Sequence, residues 1–258
     1  MYFRKATTSD CPEIKLLWKT VFLDSEDYIY RFISHFGIEN CYVCETDDTV
    51  VAMAFALSTT LKSQIVNQKS KIVNLKSKTI NLPLYYLYAC ATHPHYRQQG
   101  IMKKLLETIY NKACGDGIAG IFLRAATPVL ENYYRKLGFA DFFYGGFINH
   151  NKHKRDSKNF ISPETYHKKR IQKLENVCFV NWDEGFFKFL HDTGTLFCEE
   201  EHEIFAFRIV NDTILIDEVL DDNLEELPNN TSYCGQIKWC NFQKPATLNN
   251  GYFAFAME

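Results

Sequence analysis

The chain of 258 residues is 46% hydrophobic and 15% aromatic, with 23% charged residues and a net charge of −2 at pH 7. This composition excludes wholesale disorder and supplies apolar side chains for a sizeable core, in one large domain or two. No apolar run approaches the roughly 20 residues that a membrane-spanning helix needs, so no membrane partner is expected.

Residues 2–5 read as a strand and not as a secretory leader. Nine cysteines without a leader fit a reducing, cytoplasmic setting in which thiols act as small hydrophobes. Asp10 is expected to cap a helix with Pro12 in its first turn and Glu13 three residues on, a capping-box variant. Ile14, Leu17, Trp18 and Val21 give that helix its apolar stripe. Asp24 or Ser25 opens a second helix, with Tyr28, Ile29, Phe32, Ile33 and Phe36 on its buried face and Gly37 as its stop. Residues 41–45 and 50–59 flank the polar turn Thr46-Asp47-Asp48 and read as paired strands. Cys41-x-x-Cys44 looks like half a zinc site. Residues three apart on a strand face opposite sides, and no second pair has suitable spacing, so no metal is expected.

Residues 63–82 repeat with a period of seven: the units SQIVNQK, SKIVNLK and SKTINL begin at Ser63, Ser70 and Ser77. Three units are too few for a coiled coil, and Ile, Val, Asn and Thr favour extended or irregular structure. The segment reads as an excursion between two strands, a hairpin tip or a solvated loop. Residues 84–106 then run from an aromatic-rich strand through a Pro-containing turn into a short polar loop. Gly100 opens a helix with Ile101, Leu105 and Leu106 on one face. A strand that feeds a helix in this way aims unpaired N–H groups and the positive helix end at one point, which suits a pyrophosphate. Between Thr49 and Leu106 there is no acidic residue, while eight basic ones contribute +8.

The helix over 101–113 ends near Gly115-Asp116-Gly117. A strand over 118–125 follows, then a helix over 129–137 closed by Gly138, then one or two strands over 139–148. Residues 149–174 are polar and basic, lack a core pattern and read as a linker. Charge count there imitates a nucleic-acid patch, but the acidic segment that follows and the lack of a nucleic-acid motif argue against that partner. Further on, Trp182, Phe186, Phe187 and Leu190 fit one helix face ending near Gly194. Residues 195–198, 204–210 and 213–219 read as strands, and 252–257 as a last one. The first 174 residues carry a net charge of +10 and the remainder −12. Two domains with different electrostatic tasks, or compensation across an interface, both account for this asymmetry.

The order strand, helix, helix, three strands, Gly-loop helix, strand, helix, strand resembles the GNAT acyltransferase superfamily. Arg97-Gln98-Gln99-Gly100-Ile101-Met102 resembles its acyl-CoA loop, R/Q-x-x-G-x-G/A, and Tyr134-Arg135-Lys136-Leu137-Gly138-Phe139 resembles its Y-x-x-x-G-F motif. Met102 departs from the pattern, standing where Gly or Ala is common. The enhanced-intracellular-survival-type acetyltransferases have a bulky residue there too, and the chain resembles a compact form of them without their third domain. The fold class implied is α/β (α+β): a GNAT fold with a central mixed, largely antiparallel sheet flanked by helices. Residues 1–148 would form this domain, 149–174 the basic linker and 175–258 a smaller acidic, GNAT-like α+β domain.

The resemblance also implies a function: acetyl-CoA-dependent N-acetyl transfer to a primary amine of a cationic small molecule or peptide, without a metal. Cys90, Ala91 and Thr92 match the splayed strand that pairs its backbone with the pantetheine arm. Gln98, Gln99, Gly100, Ile101 and Met102 match the pyrophosphate loop, with Arg97 adding charge. Tyr134 matches the general acid; its spacing to Gly138-Phe139 selects it over Tyr133. Many relatives place a Glu base on the strand before the loop, and here none exists. In the survival-type relatives the C-terminal carboxylate reaches into the site, which makes Glu258 the candidate base. A non-catalytic acyl-CoA-binding sensor or scaffold is the alternative; Met102 and the missing carboxylate favour it, and Tyr134 and Gly100 oppose it. A homo-oligomer is compatible with either.

Overall fold

A computed structural model of the protein describes residues 1–65, 78–145, 159–211, 213–220, 232–240, 248 and 251–253. The chain divides into two compact units that interleave in sequence. The first comprises residues 1–58, 83–140 and 237–243, and the second 59–82, 141–236 and 244–258.

In the first unit, strand β1 (Tyr2–Lys5) leads into α1 (Cys11–Phe22) and α2 (Glu26–Phe36). Strands β2 (Cys41–Thr46) and β3 (Thr49–Ile65) follow, and β3 continues past Ser58 into the second unit. Next come β4 (Lys78–Thr92), α3 (Ile101–Gly115), β5 (Gly120–Leu123) and α4 (Pro128–Lys136). The strand order is β1-β2-β3-β4-β5, with the end of β11 (Ser232–Trp239) beyond β5. β1 and β2 are antiparallel (Phe3 opposite Cys44), as are β2 and β3 (Val43 opposite Met53). β4 and β5 are parallel, with Leu84 opposite Gly120 and Tyr86 opposite Phe122. The sheet is therefore mixed and largely antiparallel, as expected from the sequence.

Helices cover both faces of this sheet, so its central strands are apolar on both sides. On one face Trp18 and Phe32 meet Phe55 and Tyr88, with ring centroids 4.9–5.8 Å apart. On the other, Ile101, Leu105, Leu106, Ile109 and Tyr134 pack with Tyr42, Cys44, Leu87 and Ile121. Each such fully buried side chain contributes about 1.5–3 kcal/mol relative to exposure. Cys41 and Cys44 are both wholly buried in β2. α2 starts at Ser25, whose hydroxyl accepts from the Tyr28 N–H at 3.1 Å, and stops at Gly37 (φ +78°). Asp24, the other candidate cap, instead accepts from the Trp18 indole N–H at 2.8 Å.

Asp10 does not cap α1 as expected. A turn of 3-10 helix (Thr8–Asp10) runs straight into α1, and the Asp10 carboxylate turns back to accept from the Thr7 N–H at 2.7 Å. The same carboxylate holds Arg4 through two bonds of 2.7 and 2.8 Å, and Arg4 also grips Glu45 on β2. Glu13 accepts from the Val50 N–H at 2.6 Å instead of completing a capping box. Asp10 thus closes the head of the 3-10 turn on Thr7 while tying it to β1, and Glu13 pins α1 to β3.

In the second unit, β6 (Ala140–Gly145) and β7 (Phe179–Asn181) flank β12 (Gly251–Tyr252), which runs parallel to both. β7 also pairs antiparallel with the end of β3, Leu61 opposite Val180. β8 (Leu196–Glu200), β9 (Glu203–Val210) and β10 (Thr213–Leu220) form a separate antiparallel sheet. Helices α5 (Pro163–Lys173) and α6 (Glu184–Asp192) complete the unit. Residues 163–173 were expected within a linker, yet α5 carries two wholly buried side chains, Tyr166 and Arg170. Arg170 pairs with buried Glu218 at 3.0 Å, and Tyr166 donates to the same carboxylate at 2.7 Å. Polar residues with one buried ion pair per helix carry no apolar periodicity, which is why the sequence read as linker. The period-seven repeat lies mostly, and the strand read over 252–257 largely, outside the described residues.

The Arg4 guanidinium holds the Asp10 carboxyl well below the usual carboxylate range. A depressed folded-state value adds stability above the unfolded-state pKa near 4 and loses it as pH falls further. Asp10→Asn should cost about 1–2 kcal/mol at pH 7 in urea unfolding. The gap to the unsubstituted protein should narrow steadily below pH 4; a gap independent of pH would exclude this ion pair as its source.

Candidate functional site

The site is built where β4 leaves β5. Their ladder ends at Tyr86 opposite Phe122; β5 stops one residue later, whereas β4 runs on to Thr92. The extension carries Ala89 with φ +49°, in the left-handed region that costs an L-residue about 1–2 kcal/mol. Such a residue inserts a bulge and resets the alternation of the strand. Tyr85 and Leu87 face the α3–α4 side, and regular alternation would put Ala89 there next. Instead Cys90 joins Tyr85 and Leu87 against that cluster.

Tyr134 projects from α4 into the same cluster and is 7% exposed. Its phenol lies near the Cys90 thiol. Burial, then the adjacent thiol, pushes the Tyr134 phenol well above its ordinary range, so it stays protonated at working pH. Burial likewise pushes the Cys90 thiol up to about 12. Tyr133 also lies near Cys90, half-buried, with its ring 5.3 Å from that of Tyr134.

The spacing Y-x-x-x-G-F has a physical cause. Thr127 caps the start of α4, accepting from the Leu130 N–H at 3.3 Å, and Pro128 occupies the first turn. At its end, Gly138 adopts φ +88° and its N–H donates to the Arg135 carbonyl at 3.0 Å. The Phe139 N–H donates to the Tyr134 carbonyl at 3.2 Å, and their rings meet at 5.7 Å. These two bonds and the apolar contact define a Schellman motif, so Gly138 and Phe139 fix the turn from which Tyr134 projects. Lys238 of β11 donates to the Leu137 carbonyl at 2.9 Å, favourable at a helix C-terminus.

Past Thr92, the His93 N–H donates to Val51 of β3 at 2.8 Å and anchors the loop. The Arg97 Nε donates to the Thr92 carbonyl at 3.2 Å, folding its guanidinium back along the loop. Gln98 (φ +62°) and Gly100 (φ +74°) are both left-handed, and Arg97 to Gly100 are exposed. No side chain caps the first turn of α3, which leaves its N–H groups directed outward. Met102 packs half-buried against the core cluster, which removes its bulk from the loop. Ala91 is buried and Thr92 half-buried at the strand end. α3, α4 and the adjoining strands line a recess of about 230 Å³ that includes Lys103, Lys136 and Lys238.

The structure therefore brings Cys90 and Tyr134 together and sets Arg97 to Met102 at one helix start. Glu258 lies outside the described residues. The left-handed Ala89 was not anticipated, and no residue type at that position signals it. Gly138, read from the sequence as the stop of this helix, is that stop, and the next residue, Phe139, supplies its apolar contact. Lys238 is too distant in sequence to be foreseen.

A family model described as an acetyltransferase (GNAT) domain matches residues 2–141. The chain belongs to the GNAT acetyltransferase family. No curated protein matches it. Among solved structures, a probable N-acyltransferase from Enterococcus faecalis V583 is similar, with 12% identity, TM-score 0.65, and coverage of 93% of this chain and 72% of that one. A GCN5-related N-acetyltransferase from Kribbella flavida shows 15% identity and TM-score 0.60 over 85% of this chain and 57% of that one. Eis1 from Mycobacterium abscessus shows 12% identity and TM-score 0.59 over 86% and 59%. The chain thus spans under three fifths of the length of the last two. At these identities the likeness is one of fold, and it includes a protein of the survival type that the sequence resembles.

A Cβ on Gly138 of this GNAT chain would meet nothing nearer than 3.6 Å, so only its backbone conformation resists substitution. Gly138→Ala should destabilise the protein by about 1–2 kcal/mol in denaturant unfolding. Gly115→Ala, at the helical end of α3 with open space around it, should be neutral or stabilising by about 0.5–1 kcal/mol. Equal effects of the two would show that the turn does not depend on φ.

Proposed function

We propose that the protein transfers an acetyl group from acetyl-CoA directly to a primary amine, with Tyr134 as general acid. The observation that carries this reading is the placement of Tyr134, buried in the cluster beside the part of β4 that runs on past its ladder with β5. The divergence leaves the backbone of Cys90 to Thr92 available to the pantetheine arm as an added strand. The N–H groups from Gln98 to Met102, the α3 dipole and Arg97 suit a pyrophosphate. The amine nitrogen attacks the thioester carbon, the carbon–sulfur bond breaks with its electrons on sulfur, and the Tyr134 proton goes to that sulfur. The proton lost by the amine balances the one Tyr134 supplies.

The acceptor must reach the carbonyl as a free amine although its ordinary pKa lies near 10. No carboxylate stands between Thr49 and Leu106 to take that proton, so Glu258 or a water chain is the proposed route. A cationic acceptor is supported by the net charge of −12 from Glu175 onward, which favours capture of amines over carboxylates.

Thiol release from acetyl-CoA, followed with spermidine, lysine amide and a glycyl peptide as acceptors, tests this reading. Tyr134→Phe should lower kcat by about 100-fold or more while the KM for acetyl-CoA changes less than about twofold. Coenzyme binding by the unsubstituted protein without thiol release on any amine would instead support a binding module.

A further inference from the structure

We propose that the recess lined by α3, α4 and the adjoining strands is a subsite for the 3′-phosphate of the coenzyme ribose, a reading that rests on acetyl-CoA as the acyl donor. Lys103, Lys136 and Lys238 hold the phosphate oxygens. The protein therefore selects coenzyme A over its 3′-dephospho form.

Charge argues for this subsite first. Three ammonium groups and one carboxylate, Glu107, line a space of about 230 Å³, which leaves it a net charge of +2. Its floor is apolar, made by the buried Leu106, Ile121 and Phe139. A phosphate monoester carries about −1.5 to −2 at pH 7, so it matches the recess better than a singly charged diester does. The volume lies below the range of about 300–1,000 Å³ for whole-ligand pockets and suits one phosphate with part of its sugar. The same charge repels a cationic acceptor, so the recess is set apart for the donor.

Placement argues second. Lys103 is the third residue of α3, one residue past Met102, where the loop proposed for the pyrophosphate ends. In coenzyme A the pyrophosphate and the 3′-phosphate share one ribose, at its 5′ and 3′ positions. A pyrophosphate at the α3 start thus keeps the 3′-phosphate within one sugar ring of it.

The third argument is that the recess is partly prepared. The Lys238 ammonium donates to the Leu137 carbonyl at 2.9 Å and lies 4.4 Å from the centre of the Tyr110 ring. The Tyr110 hydroxyl donates in turn to the Trp239 carbonyl at 3.1 Å, which fixes that ring. An ammonium has three donors and Leu137 takes one, so donors remain for an anion. A cation already held in place loses little freedom on binding. Lys103 stands 4.0 Å from Glu107, the outer limit of an ion pair, and both side chains are half-exposed. Such a pair is worth little, so Lys103 gives up little when it turns to a phosphate.

The test is calorimetric titration of the full chain with coenzyme A and with 3′-dephospho-coenzyme A. The unsubstituted protein should bind the dephospho form about tenfold or more weakly, the range for losing hydrogen bonds to a charged group. The double variant Lys103→Gln/Lys136→Gln should bind coenzyme A about tenfold less tightly and the dephospho form within about twofold of the unsubstituted protein. Lys136→Gln alone, with a loss of about threefold for coenzyme A, stands in should the double variant fail to fold. Lys112→Gln, on the same helix but outside the recess, should change neither affinity by more than about twofold. Equal binding of the two coenzymes, undiminished discrimination in the double variant, or the same loss in Lys112→Gln would each overturn the subsite and leave acetyl transfer standing. Discrimination without thiol release on any amine would leave the subsite and overturn the transfer. No binding of either coenzyme would overturn both readings.

Discussion

One backbone angle organises the active face of this protein. With Ala89 in the left-handed region, β4 changes which of its residues face α3 and α4, and it does so just past the last pair it shares with β5. The strand end is released from its neighbour, and its next side chain, Cys90, turns toward Tyr134. An L-alanine tolerates this conformation only at a cost, so the surrounding packing must over-determine it. The aromatic cluster of Trp18, Phe32, Phe55 and Tyr88 on one side and the α3–α4 cluster on the other supply that constraint.

The helices around the site are fixed at their ends rather than along their lengths. α4 is held by Thr127 and Pro128 at its start and by the Schellman turn and Lys238 at its finish, so Tyr134 sits on a short element with both termini tied. α3 is the opposite case: its first turn has no side-chain cap, while Ile101, Leu105 and Ile109 are buried beneath it. A helix anchored by its apolar face can leave its N-terminal donors unpaired without loss of position. In the second unit rigidity comes from a different source. Arg170 and Glu218, both wholly buried, lock α5 to β10, and the three rings around Arg170 leave little room for another arrangement. A buried pair of this kind contributes less to stability than to fixing one packing among several.

Much of the first unit was legible in the sequence because its signals are local. Apolar spacing marks α1, α2 and α3, Gly37 and Gly138 mark helix ends, and the loop from Arg97 to Met102 has a family pattern. Where a residue had two local options, tertiary structure decided. Asp10 and Glu13 had the right types for a capping box, yet Asp10 closes the box one turn earlier, on Thr7, while also holding Arg4, and a strand N–H takes the carboxylate of Glu13. Helix α5, β7 and β11 escaped notice because their partners are remote: Arg170 needs Glu218, and β7 needs Leu61. The left-handed Ala89 is the plainest case. Leu87-Tyr88-Ala89-Cys90 alternates as an ordinary strand would, and nothing local indicates that the face changes.

Burial at this site acts on both partners of the proposed proton transfer. A phenol well above its usual range is a poor acid toward a thiolate of ordinary basicity, and on that ground alone Tyr134 would be ill suited to its role. The leaving sulfur, however, would form in the same environment. Cys90 gauges what that environment does to a thiol, because desolvation moves it from 9.0 to about 12. A coenzyme thiolate formed beside it would be raised by the same desolvation and would become a stronger base. The difference between acid and base, which sets the direction of transfer, is therefore smaller than either shift alone implies. In the proposed transfer, a dry, apolar setting would keep Tyr134 protonated until a thiolate appears and would then make that thiolate ready to take the proton.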